Sequence, residues 1–178
     1  MNKKNFYNKS LIHQTFILVI LLIMAQRSSA QINLKGFVDS YQAARIKSPH
    51  DYLSSRNRVR MEMSVEAEDA LSFISFNGIK NKILPSQSGI ELREAYLDYI
   101  GGSWDARIGR QIVIWGKADG VQITDVVSPM DYTEFLARDY DDIRIPVDAV
   151  KLRFFHEMAN FELIWAPTFQ SAILPKGD

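Results

Sequence analysis

The chain lacks several features that mark particular classes of protein. It has no cysteine among its 178 residues, which excludes a disulfide scaffold, a thiolate zinc site and cysteine-based catalysis. No apolar run reaches the roughly 18 residues that a membrane-spanning helix needs. An HExxH zinc motif, a glycine-rich phosphate-binding loop and a recognisable Ser-His-Asp order are absent too. We therefore expect no enzyme activity, no cofactor and no metal site.

The charge of the chain is balanced overall but unevenly distributed. Lys and Arg number 21, and Asp and Glu also number 21. Residues 1–30 carry four of the bases and no acid, which leaves residues 31–178 with 17 bases and 21 acids. Because phosphate contacts require a basic surface, this balance argues against a nucleic-acid partner. A hydrophobic content of 47% and a charged content of 24% predict a folded chain.

The first thirty residues have the three parts of a secretory signal peptide. Residues 1–15 carry three lysines and no acid, residues 16–24 are an unbroken apolar run, and residues 28–30 are small. We expect cleavage after Ala30, so that the mature protein begins at Gln31 and works outside the cytoplasm. An uncleaved N-terminal anchor is the alternative.

Beyond residue 30 the dominant hydrophobic period is two, which is the period of a β-strand. In residues 56–68 one face carries Val59, Met61 and Met63, and the other carries arginines, glutamates and serine. This run exceeds the roughly 5–6 residues of a usual soluble strand and suits a tilted membrane-spanning strand of about 9–11 residues. Similar patterns predict seven strands, over residues 31–41, 56–68, 71–78, 91–100, 103–114, 147–157 and 161–167.

Most of the predicted strands have one apolar and one polar face. Two segments resist this assignment. Both faces of residues 71–78 are apolar, so their orientation stays open. In residues 103–114 the alternation breaks at Arg110, which returns to the polar face only through a bulge near Gly109.

The predicted connections alternate between long and short, and this alternation bears on the fold class. Transmembrane barrels have short periplasmic turns and longer outer loops, whereas a secreted β-sandwich has no reason to sort its loops in this way. In a barrel the apolar face meets lipid; in a sandwich it packs into a core. We favour an all-β, antiparallel transmembrane β-barrel, with the secreted β-domain as the alternative. The long connections are about 45–55, 79–89 and 116–146, and the short ones are 69–70, 101–102 and 158–160.

Seven strands do not complete such a barrel, because bacterial single-chain barrels have even strand numbers. Unpaired edges in lipid would leave backbone groups unsatisfied at several kcal/mol each. The chain also ends without an aromatic-terminated strand. We interpret residues 31–178 as the N-terminal part of a longer barrel. An undetected eighth strand and closure through a homo-oligomer are the alternatives.

An ordered series of short motifs lies between residues 92 and 146. The motifs are LREAY at 92–96, GRQ at 109–111, WG at 115–116, DVVSPMD at 125–131 and DDIRIP at 141–146. This stretch resembles the N-terminal part of a bacterial outer-membrane β-barrel family of unknown function that is distantly similar to alginate-export and other porin-like barrels. The resemblance implies an outer-membrane location in a Gram-negative bacterium, contact with the lipid bilayer and lipopolysaccharide, and insertion by the barrel-insertion machinery.

Residues 116–146 are too long for a passive loop, since structureless loops beyond about 12–15 residues are usually functional or disordered. One hypothesis is a constriction loop folded into the lumen, where its charges select solutes. The other is a loop held against the wall by its own ion pairs. The acidic residues at 139, 141 and 142 are interpreted as a solvated face or as ligands of lipopolysaccharide-bridging ions, since they lack the glycine and spacing of a dedicated calcium loop. The candidate lumen or constriction residues are Arg56, Arg58, Arg60, Glu94, Asp98, Arg107, Arg110, Lys117, Asp119, Asp125, Asp131, Arg138, Lys151 and Arg153.

Three functions remain open from the sequence. The leading one is a porin-like channel for passive passage of small polar or anionic solutes. The second is a non-conducting structural or adhesive outer-membrane barrel. The third is a secreted soluble β-domain with a binding face.

Overall fold

A computed structural model describes residues 31–114, 126–134, 138 and 142–175. The predicted signal peptide lies outside these residues. The described chain is all-β, and its one helical segment is the short 3₁₀ turn Pro85–Gln87. No helix among the described residues is long and apolar enough to cross a membrane. The seven strands are β1 (Gln31–Ala44), β2 (Tyr52–Ala67), β3 (Ala70–Asn81), β4 (Gly89–Ile100), β5 (Trp104–Gln111), β6 (Val147–His156) and β7 (Ala159–Trp165).

The strands form one antiparallel sheet in which each strand pairs with the next along the chain, in the order β1 to β7. All seven strands predicted from the sequence are present. Within the described residues β1 and β7 do not contact each other, so the sheet is open. The all-β, antiparallel prediction is therefore confirmed, with an unclosed sheet as expected for seven strands.

The connections alternate in length as the sequence predicts. Those at one end of the sheet are short, spanning residues 68–69, 101–103 and 157–158. Those at the other end are longer, spanning residues 45–51, 82–88 and 112–146. We call these the short-turn end and the long-connection end of the sheet.

The burial of the two faces is inverted relative to a water-soluble sheet. On β2, Arg58 and Arg60 are only 6% and 9% exposed, whereas Val59 and Met61 between them are 45% and 55% exposed. Because alternate residues of a strand point to opposite faces, one face of the sheet is polar and, around these arginines, covered, and the other is apolar and open. We call these the polar face and the apolar face.

The structure also settles β3, whose orientation the sequence left open. Its register against β2 pairs Asn77 with Arg60 and Asn81 with Arg56. Ser75, Asn77 and Asn81 are each 1% exposed, so these short polar residues lie on the polar face. Hydropathy alone gave little signal there, because phenylalanine and isoleucine occur on both sides of the strand.

The long connection 112–146 packs back onto the polar face. Ser128 is fully buried, and its Oγ accepts a hydrogen bond from the backbone N–H of Val113 at 2.9 Å. Gln111, also fully buried, donates its side-chain amide to the carbonyl of Ala149 at 2.9 Å. A small apolar core of Val113, Val147 and Ala149 lies beneath this connection. The Ser128 contact joins the connection to its own start, and the Gln111 contact joins β5 to β6.

Two backbone bridges extend the long connection into a small ladder. Met130 pairs antiparallel with Arg144, and Asp131 pairs in parallel with Ile173 beyond β7. The backbone N–H of Tyr132 donates to the carbonyl of Ile173 at 2.8 Å. The described part of the connection is thus held by backbone hydrogen bonds on both sides.

Two details of register decide where individual arginines lie. Between β3 and β4 the pairing shifts at Ser75/Phe76, which leaves Arg93 as the extra residue of a bulge between Leu92 and Glu94. Between β4 and β5 the pairing continues through Gly109 without a shift. The bulge that would have returned Arg110 to the polar face is absent there.

Candidate functional site

A single carboxylate, that of Asp142, joins the arginines of the polar face to the long connection. Arg58 Nη1 lies 2.5 Å from Asp142 Oδ2, and Arg60 Nη2 lies 2.7 Å from Asp142 Oδ1. Arg93 Nη2 is 3.7 Å from Oδ1. All four side chains are largely buried, so these are charge-assisted contacts removed from water. We call Arg58, Arg60, Arg93 and Asp142 the Asp142 cluster.

The charge state of Asp142 follows from its partners. Burial by itself would raise the pKa of this carboxyl, but hydrogen bonds and attraction from Arg60 and Arg58 outweigh that effect and lower the pKa below its ordinary value. Asp142 is therefore ionised at neutral pH and acts as a fixed anion between guanidinium groups.

Neighbouring side chains on β1 and β3 also contact the two β2 arginines, Arg58 and Arg60. Arg58 also donates to Asp39 Oδ2 on β1 through Nε at 2.7 Å. Arg60 donates through Nε to Asn77 Oδ1 at 2.8 Å. The ring of Phe37 lies beneath both guanidinium groups, at 5.0 Å from Arg58 Cζ and 5.2 Å from Arg60 Cζ. Stacking, ion pairs and hydrogen bonds thus hold these arginines in one orientation.

Glu134 makes a second link from the long connection to the sheet. Its Oε1 accepts hydrogen bonds from Ser54 Oγ at 3.1 Å and Asn81 Nδ2 at 3.0 Å. Its Oε2 lies 3.6 Å from Arg56 Nη1. Glu134 therefore binds the ends of β2 and β3, at the long-connection end of the sheet.

Asp131 and Arg138, two of the predicted site residues, pair with each other within the long connection. Arg138 Nη1 is 3.1 Å from Asp131 Oδ2, and Arg138 Nη2 donates to the backbone carbonyl of Asp142 at 2.6 Å. These contacts brace the turn that presents Asp142 to β2.

Towards the short-turn end, the charges of the polar face pair with each other across neighbouring strands. Arg107 makes a bidentate contact with Asp98, at 2.8 and 2.6 Å. Arg153 makes the same kind of contact with Asp105, with Nε–Oδ1 at 2.8 Å and Nη2–Oδ2 at 2.6 Å. Lys151 lies directly opposite Arg107 in the β5–β6 register. This half of the face is partly exposed and needs no contact from the long connection.

The structure brings most of the predicted site residues onto the polar face or the connection that covers it. Glu94 accepts the backbone N–H of Ile112 at 2.9 Å, so it fixes the start of the long connection. Lys117, Asp119 and Asp125 lie outside the described residues. On the polar face or its covering connection lie Arg56, Arg58, Arg60, Glu94, Asp98, Arg107, Asp131, Arg138, Lys151 and Arg153.

Arg110 is the exception, and its grouping with the polar face was wrong. The regular β4–β5 register places Arg110 opposite Ala95, on the face that carries Ile108 and Leu97. Its Nη1 lies 3.9 Å from Asp148, which is opposite Arg110 on β6. The physical reason is the absence of a bulge at Gly109, without which a residue that breaks the polar alternation stays on the apolar side.

Sequence reasoning missed Arg93 and the partners that the long connection supplies. Strict alternation assigned Arg93 to the apolar face, and only the bulge turns it towards Asp142. The one sequence signal for this bulge was an arginine at a position where strict alternation expects an apolar residue. The interpretation of Asp142 as a solvated acidic residue was wrong, since it is 6% exposed and paired with arginines. Asp139 and Asp141 lie outside the described residues.

The apolar face is open along the described strands. It carries Ile32, Leu34 and Val38 on β1, and similar residues follow on every later strand. Near the short-turn end, the rings of Tyr99 and Trp104 pack at 4.9 Å beside the 101–103 turn. The other large exposed side chains on this face include Val59, Met61, Met63, Phe76, Leu92, Leu97, Ile108, Phe154, Phe161, Leu163 and Trp165.

A cleft of about 280 Å³ opens at the long-connection end, between the β3–β4 connection and the long connection. Charges of both signs line it. Among the described residues, the guanidinium groups belong to Arg56, Arg138 and Arg144, and the carboxylates belong to Glu91, Asp131 and Glu134.

Fold and site together define an all-β protein with an open antiparallel sheet. The long connection covers part of its charged face, and no described segment covers its apolar face. The chain belongs to the family described as "Protein of unknown function (DUF1302)", whose model matches residues 17–175. No curated protein matches the chain, and no solved structure does so either.

Proposed function

We propose that the chain forms part of the wall of an outer-membrane β-barrel that acts as a passive channel for small polar or anionic solutes. The observation that carries this proposal is the inversion of the two faces, seen most clearly where buried Arg58 and Arg60 alternate with exposed Val59 and Met61. The sequence resemblance to an outer-membrane barrel family of unknown function, itself distantly similar to porin-like barrels, supports the same assignment.

The inversion favours lipid over water as the surroundings of the apolar face. Exposed apolar surface is unfavourable in water by about 25 cal/mol for each Å². A contiguous apolar patch that extends over all seven strands is rare on a soluble monomer. A β-sandwich would cover its apolar face with a second sheet, whereas the described strands all belong to one sheet. In a barrel, hydrocarbon would cover this face and the polar face would line the lumen.

Within such a barrel the long connection would lie in the lumen and narrow it. Asp142 and Glu134 attach it to the wall from the inside, through the contacts with Arg58, Arg60 and Arg56. Solutes would then pass the partly exposed charges of Arg107, Lys151 and Arg153. Charged groups at a constriction set the local potential and so the solute preference.

A non-conducting structural barrel is the second candidate, and the Asp142 cluster favours it. Its arginines are buried against Asp142 and are not presented to a passage. In that case the long connection would be a plug that stiffens the barrel.

Location and conductance test the proposal. The full-length protein should fractionate with the outer membrane, require detergent for extraction and begin at Gln31 on N-terminal sequencing. Purified and inserted into planar bilayers, it should give stepwise conductance. Recovery from the soluble periplasm without detergent would exclude the barrel. Membrane insertion with no conductance would favour the structural barrel.

A further inference from the structure

We propose that the part of the apolar face around Arg110 and Asp148 is the interface through which two copies of this chain associate side by side. The inference rests on the proposed function in one respect, since the cost of leaving these charges uncovered depends on the face lying against lipid. It goes beyond that function, because a barrel can conduct as a single copy.

Arg110 and Asp148 are two charged residues among apolar neighbours. They lie opposite each other in the β5–β6 register, and Ile108 and Val150 form the next pair on the same face. Arg110 donates through Nε to the carbonyl of Leu92 at 3.0 Å. Its Nη1 lies 3.9 Å from Asp148 Oδ1, which is too long for a hydrogen bond. The Asp148 side chain is 66% exposed, so this carboxylate faces whatever covers the sheet.

The depth of this pair in the proposed barrel follows from the positions of the short turns. Arg110 lies six residues after Trp104, where β5 begins, and Met61 lies six residues before Ala67, where β2 ends. Six residues of strand span about 20 Å, which a tilt of about 40° reduces to roughly 15 Å of height. The lipid-facing band of a barrel is about 25 Å tall. Arg110 therefore lies near the middle of that band, at the depth of Met61.

Lipid cannot compensate these charges at that depth. Hydrocarbon offers neither an ion nor a hydrogen-bonding group, and the lipid headgroups lie at the two edges of the band. Charged residues inside a membrane are rare, and they pair with one another or face protein. A protein partner compensates both residues at once, because it can bring groups of the opposite charge to the same depth.

The arrangement of the two charges favours a second copy as that partner. A two-fold axis brings the same patch of both copies into contact, so the patch must be complementary to itself. A base and an acid side by side meet this condition. Arg110 of each copy then faces Asp148 of the other, and an axis along the membrane normal keeps both copies in the same orientation.

A groove of about 380 Å³ beside the pair provides room for side chains of the second copy. The small residues Ser72 and Ala95 line it together with the exposed side chains of Leu97 and Ile108. Ala95 is directly opposite Arg110 in the β4–β5 register, so the groove adjoins the charged pair. Small residues allow close approach at interfaces inside a membrane. The groove and the pair thus form one continuous surface from β3 to β6.

Complementary charge reversals test this interface. In the Arg110→Glu variant both charges of the patch are negative, and in the Asp148→Lys variant both are positive. Each variant alone should have a dimer dissociation constant raised at least about a hundredfold, because like charges then face each other twice. Mixed together, the two variants should form a heterodimer. Analytical ultracentrifugation of the full-length protein in mild detergent measures the dimer, and an affinity tag on one variant detects the heterodimer.

The same reversals at an exposed ion pair are the control. Arg45→Glu and Asp51→Lys alter the pair in the β1–β2 connection, and each variant alone should remain a dimer. A monomeric unmodified protein, a dimer that persists in both reversals of the interface pair, or a mixture that stays monomeric would overturn the interface. A monomer that retains lipopolysaccharide, and loses it in the Arg110→Glu variant, would assign the pair to a lipid headgroup instead.

Neutral variants cover the case in which a reversal prevents folding, as judged by heat-modifiable gel mobility. Arg110→Gln and Asp148→Asn remove a charge without adding a repulsion, and both should still weaken the dimer. A dimer of unchanged stability in these two variants would overturn the interface.

Conductance recordings on the same preparation separate this interface from the proposed channel. A conducting monomer would retain the channel and overturn the interface. A dimer that responds to both reversals but gives no conductance would retain the interface and remove the channel.

Discussion

The two faces of β2 differ in what covers them, although they belong to one strand. On the polar face Arg58 and Arg60 are buried, and each depends on Asp142, more than 80 residues further along the chain. On the apolar face Val59 and Met61 are exposed side chains that no described segment covers. The buried face is specified by long-range contacts, and the exposed face only by composition.

This difference shows where the fold is vulnerable. A buried guanidinium has a large desolvation penalty that only a fitting anion offsets, so the part of the polar face around Arg58 and Arg60 is stable only with the long connection docked. In the proposed barrel the apolar face would tolerate exchange among apolar residues, since lipid adapts to their shape, whereas an added unpaired charge would be costly. Substitutions on the two faces should therefore act through different mechanisms.

The largest effect is expected from Asp142→Asn. Removing this charge leaves Arg58, Arg60 and Arg93 buried beside one another with less compensation, which should lower the free energy of unfolding by about 3–5 kcal/mol. Urea unfolding of the full-length protein in lipid vesicles measures it. Asp51→Asn is the control, since its pair with Arg45 is exposed, and its loss should be about 1 kcal/mol or less. Similar losses in the two variants would show that the long connection does not depend on Asp142.

Met61→Arg tests the apolar face. Near the middle of the bilayer an arginine should destabilise the protein by about 2–4 kcal/mol, because a charge then faces hydrocarbon. Ser64→Arg places the same side chain on the polar face of the same strand and should cost much less. The same unfolding assay compares them. A larger loss for Ser64→Arg would mean that the two faces are assigned the wrong way round.

The deficits in stability of variants on the two faces should depend differently on pH, and this effect should be smaller than the deficits themselves. The pKa of Asp142 is lowered in the folded protein, so its contribution is present above the ordinary value of 3.8 and is lost as pH falls below 3.8 through the folded pKa. The stability difference between the unmodified protein and Asp142→Asn should therefore be constant near neutral pH and shrink below about pH 4. Met61→Arg should keep its deficit over the same range. A constant difference for Asp142→Asn down to pH 2 would contradict the assignment of Asp142 as the ionised partner.

The smallest effect is expected in ion selectivity. Lys151→Glu changes a charge on the polar face and should shift the reversal potential in a salt gradient towards cation preference. Arg110→Glu changes a charge on the opposite face of the sheet, paired with Asp148, and should leave the reversal potential unchanged. Planar-bilayer recordings on the full-length protein compare the two. A shift with Arg110→Glu and none with Lys151→Glu would place the passage on the other side of the sheet.

Much of the fold was predictable because strand alternation is a local property. The seven strands, the sorted connection lengths and the faces of β1, β2, β4, β6 and β7 follow from a period of two that persists over many residues. Prediction from the sequence failed where the facing of a side chain depends on whether the strand contains a bulge, because one extra residue moves the following side chains to the other face. The bulge at Arg93 reverses the facing of that arginine, and the absence of a bulge at Gly109 leaves Arg110 on the apolar face; neither has a strong local signature.

The sequence by itself determined that the protein is an antiparallel all-β chain with one charged and one apolar face, because side-chain alternation encodes both. Only the tertiary structure decided which charges meet. Asp142 and Arg58 are 84 residues apart, and their contact depends on how the long connection returns over the sheet. Nothing in the composition of that connection distinguishes the buried Asp142 from a solvated acid, since burial is a property of position in three dimensions.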